Sequence, residues 1–353
     1  MSLTKTLGLT VFGSILILFP FWADTFWVSS IATRALVLGL MALSLNFLFI
    51  TTGLVSLAQA AVATAAAYTV GLLSANSSYI GVELHPFIAI ALAMGVGTVS
   101  GFLVGLISIR SNGIYLLMIT LATSMCLFYF VSQNITIFNG FDGVNGLRAP
   151  TFWGWDLSQR NPFYFLCLIS CVVLLILCWL VERSVLGSVL HGFRNAPLRM
   201  AALGFNITTI RLIAFSLAGL IAGMGGILNA WHTGQVSPGS TDVMAAVNLL
   251  IIAVLGGVWH PIGAFVGSVF FVLLENFATS LIGRERFNLV IGTSFVLAVI
   301  YAPRGLLGVY ENITNHFKSP KNNGDNHDKK QFHSTRHRFS AGNPAKRIHP
   351  RQH

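Results

Sequence analysis

The residue constellations that would let this chain run chemistry of its own are missing from its 353 residues. A phosphate cradle of the form G-x-x-x-x-G-K-[ST] needs lysine directly after glycine, and no Gly-Lys pair occurs anywhere. The H-E-x-x-H and G-x-S-x-G patterns of hydrolases are absent as well. His85, His191, His232 and His260 stand singly in loops or at the ends of apolar runs, as interfacial hydrogen-bonding residues do, and form no metal-ligand cluster. Only one acid, Glu275 in "FFVLLENFA", falls within an apolar run; a functional buried carboxylate and a side chain snorkelling to water both fit it. Arg34 is its basic counterpart, expected to reach the outer interface. Cys126, Cys167, Cys171 and Cys178 all lie in apolar runs, where thiols act as small hydrophobes.

Composition names the solvent in which these residues sit. Hydrophobic residues make up 54% of the chain and charged residues 9%, against about 25% charged in soluble domains. No lysine occurs between Lys5 and Lys318. Too few charges remain to build a soluble surface, so the hydrocarbon of a bilayer must take that role. The net charge of +10 is concentrated in the tail: residues 312–353 carry nine Lys/Arg and two acids, and six histidines without paired spacing. The tail is too polar to fold alone and is expected to be a disordered, basic, His-containing cytoplasmic extension, with attraction to anionic lipid headgroups as the alternative. The body's small net charge argues against a nucleic-acid surface there.

The apolar runs predict an all-α polytopic membrane protein of about ten transmembrane helices. They are 5–23, 27–50, 53–74, 86–109, 113–133, 162–182, 207–230, 243–258, 261–281 and 288–303. The first is read as an uncleaved anchor. The short "ITTGLVS" connection leaves open a broken or re-entrant helix in place of two clean crossings. Positive-inside counting puts both termini in the cytoplasm, together with Arg110, Arg183, Arg194, Arg199 and Arg211. Asp24, Glu83, Asp142, Asp156 and Asp242 then lie outside, with Arg148, Arg160, Arg284 and Arg286 as basic exceptions there. The tail stays inside only if "VNLLIIAVLGGVWHPIGAFVGSVFFVLLEN" crosses twice, turning around Gly256, Gly257 and Pro261. Small residues recur at four-residue spacing, at Gly97, Gly101 and Gly105, at Gly219 and Gly223, and at Gly263 and Gly267. That spacing lets membrane helices approach backbone to backbone, and it suits packing or hinge positions.

Between the greasy runs lies "VLGSVLHGFRNAPLRMAALGFN", a basic segment without an acid. Asn195 suits an N-cap, Pro197 the first helical turn and Gly204 the C′ position, so "APLRMAAL" predicts about two turns of helix. Leu198, Ala201, Ala202 and Phe205 fall on one side, with Arg194 and Arg199 elsewhere. Such a helix could lie in the headgroup layer or dock into a groove on a partner.

Four stretches in order carry a resemblance. They are "LSLNFLFITTGLVSLAQAAVATAAAYTVGLL", then "SIRSNGIYLLMITLA" with "NGFDGVNGL", then "GSVLHGFRNAPLRMAALGFNITTIRLIAFSLAGLIAGMGGIL", and "AVLGGVWHPIGAFVGSVFFVLLE". Over about residues 35 to 310 the chain resembles permeases of the branched-chain amino acid ABC importer family. The resemblance implies a transport subunit that is no enzyme, in a cell (inner) membrane. Its domain spans 1–311, with a cytoplasmic coupling loop at 183–206 ahead of the tail at 312–353. The implied partners are a second related permease forming a heterodimer, two cytoplasmic ATPase subunits and an extracytoplasmic substrate-binding protein. No cofactor is bound by this chain, and ATP and Mg sit on the partner subunits. By position Arg194, Asn195, Pro197, Arg199, Ala202 and Gly204 fall on the ATPase-coupling element. The family often has arginine where Ser188 and His191 stand, an Asp/Glu-Asn pair at Asn195 and Ala196, and histidine at Gln59. Asn46, Ser56 and Gln59 are expected along the substrate route, and Asp142, Gly143, Asn145 and Gly146 where substrate or binding protein arrives. Asp142 is equally open to a turn-stabilising role before glycine.

The expected mechanism is alternating access, with closure of the ATPases moving the 196–204 helix. The expected cargo is a branched-chain or other apolar amino acid, with urea or a short amide as the alternative. An ion-coupled carrier or a passive pore would have to work without an ATPase. Replacing both Arg194 and Arg199 with Glu is expected to uncouple ATP hydrolysis from uptake while membrane insertion persists. Full uptake by that double variant would remove the coupling assignment.

Overall fold

The computed structural model describes residues 18–73, 85–152, 155–282, 287–301 and 305–308. Chain contacts divide the sequence at residue 309, and the second unit, 310–353, with the expected basic tail lies outside the described residues. So do residues 5–17 of the first expected span, Glu83, Arg284 and Arg286.

The described residues are mostly helical. Helix α1 (Phe26–Thr52) begins as a π-helix over Phe26–Thr33 and continues as an α-helix from Arg34. It is followed by α2 (Gln59–Leu73), α3 (Pro86–Ile107), α4 (Ile114–Gln133) and α5 (Arg160–Arg183). Two short helices, α6 (Val185–Asn195) and α7 (Pro197–Ala202), precede α8 (Ile207–Thr233), α9 (Val243–Gly256), α10 (Pro261–Ile282) and α11 (Phe287–Tyr301). Six helices, α1, α3, α4, α5, α8 and the Pro261–Ala278 part of α10, are long and apolar enough to cross a membrane, so the chain is a multi-pass membrane protein.

Among the described residues this is fewer than the ten crossings expected. Helices α2 and α9 have 15 and 14 residues. At 1.5 Å per residue they span only about 22 and 21 Å, short of a hydrocarbon core of about 30 Å. The segment expected to cross at 53–74 is part helix and part irregular backbone. Gly53 closes α1 in the left-handed region at φ 71°. The stretch to Ala58 then runs through the protein interior, with Ser56 and Ala58 fully buried. Its amides are satisfied locally: Leu57 N–H donates to Thr120 Oγ1 at 3.1 Å, and Ala58 N–H to Ser56 Oγ at 3.3 Å. Non-helical backbone at membrane depth survives only when protein supplies its hydrogen bonds in this way.

Helices α1 and α8 form the centre. In their most apolar windows 83% and 61% of residues are buried, against 22% for α4. Helix α8 packs on α1, α2 and α3, and glycine sets the distance. A Cβ added to Gly101 would lie 2.5 Å from the Phe215 carbonyl oxygen and 2.8 Å from Gly219 Cα. Gly97 meets the Gly219 carbonyl and Gly223 Cα, both at 3.0 Å from such a Cβ. Two of the glycine runs noted in sequence therefore face each other across one α3–α8 seam. Gly226 approaches the backbone of Ala63 in α2 in the same manner. The third seam joins α9 to α10 around the Gly257–His260 turn, where a Cβ on Gly256 would lie 2.7 Å from Gly267 N.

Gly101→Leu is expected to force α3 from α8 and to cost about 1–3 kcal/mol or more, as overpacking does. Gly95→Ala, where a Cβ meets nothing within 4 Å, should stay within about 0.5 kcal/mol of wild type. Thermal unfolding of the detergent-solubilised protein reads both, and equal losses would contradict the seam.

Candidate functional site

The basic segment at 183–206 is two helices in place of the one expected. Apolar residues at Leu186, Leu190 and Phe193 share one face, and Leu190 and Phe193 are buried against the body. That 4-3 spacing was present in the sequence as the signal for α6. Ser184 caps the helix, its Oγ accepting from Gly187 N–H at 3.3 Å. Asn195 is the last residue of α6, which corrects its assignment as the N-cap of the next helix. The cap of α7 is Ala196, whose extended backbone turns the chain, and it makes no side-chain hydrogen bond. Pro197 occupies the first position of α7. Leu203 closes α7, and Gly204 follows at φ 89°. Phe205 N–H donates to Met200 O at 3.1 Å and Gly204 N–H to Ala201 O at 3.0 Å. These are the two bonds of a Schellman end, for which glycine is the natural residue.

Helix α7 buries no residue. Arg199, Ala201, Ala202 and Gly204 are exposed, and so are the large apolar side chains Leu198, Leu203 and Phe205, the first at 83%. Met200 alone folds back, its sulfur against Gly192 of α6. Exposed leucines at the tip of a rigid helix form a surface suited to a partner or to lipid headgroups.

The two arginines of the segment differ in kind. Arg199 projects from α7, whereas Arg194 is spent on the body. Its Nη1 donates to Ile50 O at 2.7 Å, in the last turn of α1, where an unpaired carbonyl and the negative end of the helix dipole favour a cation. The same guanidinium lies 4.6 Å from the centre of the Trp259 ring and 5.3 Å from that of Phe49. Replacing both arginines therefore mixes a surface change with a structural one. Arg211, buried at the start of α8, does for α3 what Arg194 does for α1: its Nη1 donates to the carbonyls of Ser108, Ile109 and Ser111 at 3.2, 2.5 and 3.0 Å, and its Nη2 bonds Asn112. Phe193 of α6 packs over this guanidinium.

The polar residues expected along a route are scattered through the interior. Asn46, fully buried, donates through Nδ2 to Gly257 O at 3.4 Å and His260 O at 3.3 Å, so it tethers α1 to the α9–α10 turn. Ser56 caps the buried loop before α2, and Gln59 starts that helix with its Oε1 buried and without a partner among the described residues. The outer candidates form an ordered loop. Strand β1 (Val144–Asn145) pairs antiparallel with β4 (Gln235–Val236), while β2 (Thr151–Phe152) and β3 (Trp155–Asp156) form a separate hairpin. Leu147 N–H adds a bond to Gly234 O at 2.9 Å. Gly143, at φ 64°, is buried against Val236, and Asp142, Asn145 and Gly146 are exposed. Asn145 Nδ2 bonds the Asp142 carbonyl at 3.2 Å.

Two charges in the apolar body find each other although 241 residues separate them: Arg34 Nη2 lies 2.7 Å from Glu275 Oε1. Sequence spacing carries no signal for such a pair. It lines a cavity of about 180 Å³ between α1, α8, α9 and α10, together with Asn229 and Asn248.

The comparisons with known proteins agree on a class. Residues 27–299 match the family described as branched-chain amino acid transport system / permease component. Similar proteins include the high-affinity branched-chain amino acid transport system permease protein LivM of Salmonella typhimurium, 27% identical over 78% of this chain and 69% of the relative. LivM of Escherichia coli is 26% identical over the same shares. The ribose import permease protein RbsC of Escherichia coli is 23% identical over 63% of this chain and 70% of its own length. No solved structure matches. With its apolar helices, glycine seams and protruding short helix, and with most of its length matched by one family, the chain belongs to the permease components of branched-chain amino acid ABC transport systems.

Proposed function

We propose that this chain is one membrane pathway subunit of an ATP-driven importer of branched-chain or other apolar amino acids. It works with a second related permease, two ATPase subunits that bind ATP and Mg, and a substrate-binding protein on the far side of an inner membrane. The observation that carries this reading is helix α7, with no buried residue yet anchored to α6 through Met200. Basic residues Arg110, Arg194, Arg199 and Arg211 belong to the end that holds α6 and α7, which supports placing that end and both termini in the cytoplasm. Asp142 and Asp242 belong to the opposite loops, where a binding protein would deliver cargo.

The mounting supplies the route for force. A push on α7 passes to α6 through Met200 against Gly192. From α6 it reaches the end of α1 and Trp259 of the α9–α10 turn through Arg194. It reaches the end of α3 through Phe193 and Arg211. Asn46 ties the same turn to α1. The end of α1, the turn after α3 and one glycine turn thus answer to a single surface helix, as coupling between two states requires. An ion-coupled carrier is disfavoured because Glu275, within the apolar body, is engaged by Arg34.

Two variants separate docking from transmission in membrane vesicles that hold the complete assembly. Arg199→Glu with Leu203→Glu is expected to lose co-purification of the ATPase and more than about tenfold of ATP-driven L-leucine uptake, the scale of an interface hot spot. Arg194→Ala should keep the ATPase bound while lowering the leucine taken up per ATP hydrolysed. Full uptake by the Arg199/Leu203 variant would remove the docking role, and uptake of ribose or urea in place of leucine would overturn the cargo.

A further inference from the structure

The cavity beside the Arg34–Glu275 pair has a chemistry that the transport reading does not use. Its volume of about 180 Å³ has room for about six waters at ~30 Å³ each, the scale of one small amino acid and too little for a peptide. Its apolar wall residues include Met41, Ile252 and Phe271, each one or two helical turns along its helix from a polar one. Its polar wall residues include Arg34, Glu275, Asn229 and Asn248. Among the described residues, the side chains of Asn229 and Asn248 make no hydrogen bond. The π-helical stretch of α1 ends at Thr33, immediately before Arg34, and such widened turns accompany functional positions.

We propose that this cavity is a subsite for the zwitterionic backbone of a single α-amino acid: Arg34 takes the carboxylate, Glu275 the ammonium, and the apolar wall the side chain. The inference rests on the import reading above and assigns its cargo a place in this chain. Three physical points lead to it. Glu275 occupies one of the five N–H donors of Arg34, through one contact at 2.7 Å, so the fork keeps capacity for a bidentate carboxylate. The Arg34–Glu275 pair carries no net charge, and neither does a zwitterion. A zwitterion entering between the two side chains replaces one ion pair by two, so no charge is stranded away from water during the exchange. A neutral polyol cannot make that exchange, and the Met41–Ile252–Phe271 wall offers its hydroxyls no partner. Intramembrane charges are costly enough that they mark substrate pathways in membrane proteins.

The test is uptake of radiolabelled L-leucine by cells carrying the complete assembly. Competitors are 3-methylbutylamine, which lacks the carboxylate, and 4-methyl-2-oxopentanoate, which lacks the ammonium. Arg34→Gln and Glu275→Gln are each expected to lower uptake about tenfold or more, the loss of one charged hydrogen bond. The swapped pair Arg34→Glu with Glu275→Arg should not restore it, because the apolar wall fixes which end of the ligand carries the side chain. Asn248→Ala should raise half-saturating leucine severalfold at an unchanged membrane level, which keeps the test decisive where charge variants fail to fold. Neither competitor should block uptake. Restoration by the swap, an unchanged half-saturation in Asn248→Ala, or inhibition by a singly charged competitor at leucine-like concentrations would each overturn the subsite. Wild-type cells that import ribose but no leucine would overturn the import reading together with it, whereas wild-type leucine uptake with unaffected variants would sink the subsite alone.

Discussion

Backbone-to-backbone contact at glycine is the constraint on which the rest of this molecule depends. In lipid no hydrophobic drive pulls helices together, so association relies on dispersion and close fit. Helix α8 supplies that fit on three sides: Gly219 and Gly223 towards α3, Gly226 towards α2, and Gly225 towards α1. The contacts bring four helix axes close enough for the interior to close around very few polar groups. Because α8 is shared by all of them, movement of its first turn cannot be confined to one neighbour.

Against that packed centre, arginine works as a helix-end fitting. Arg211 gathers carbonyls of the turn that closes and follows α3, and Arg194 takes the Ile50 carbonyl at the end of α1. Each satisfies orphan acceptors that a bilayer could not, and each adds a cation at the negative end of a helix dipole. The aromatic residues around them, Phe193 for Arg211 and Phe49 with Trp259 for Arg194, shield the guanidinium groups and link them to neighbouring elements. A basic loop that counts towards orientation in sequence is, in three dimensions, partly internal scaffolding.

The resulting body contrasts one exposed helix with a buried mount. Helix α7 has nothing buried, while α6 is held by Leu190, Phe193 and Arg194. Force applied to the first must travel through the second to α1, α3 and the Gly257 turn. At the other end, the β1–β4 pairing binds the 139–148 loop to the segment after α8, so the proposed delivery surface is also attached to the central helix. The Arg34–Glu275 cavity is lined by α1, α8, α9 and α10.

Much of this was legible from residue order alone. Apolar runs located α1, α3, α4, α5, α8, α9, α10 and α11 to within a few residues, because hydrocarbon thickness and helical rise leave little freedom in length. Pro197 and Gly204 marked the ends of α7, since their backbone requirements are local. Four-residue glycine spacing marked faces that could pack, but not which faces met. What only the tertiary structure decided depends on distance in space: that α2 is a short helix after a buried loop, that Arg194 faces inward while Arg199 faces out, and that Asn46 holds a turn more than 200 residues away. The Arg34–Glu275 pair is the clearest case. Each residue alone looked like a charge seeking water, and their partnership exists because the packing of α1 on α10 brings the two side chains to 2.7 Å.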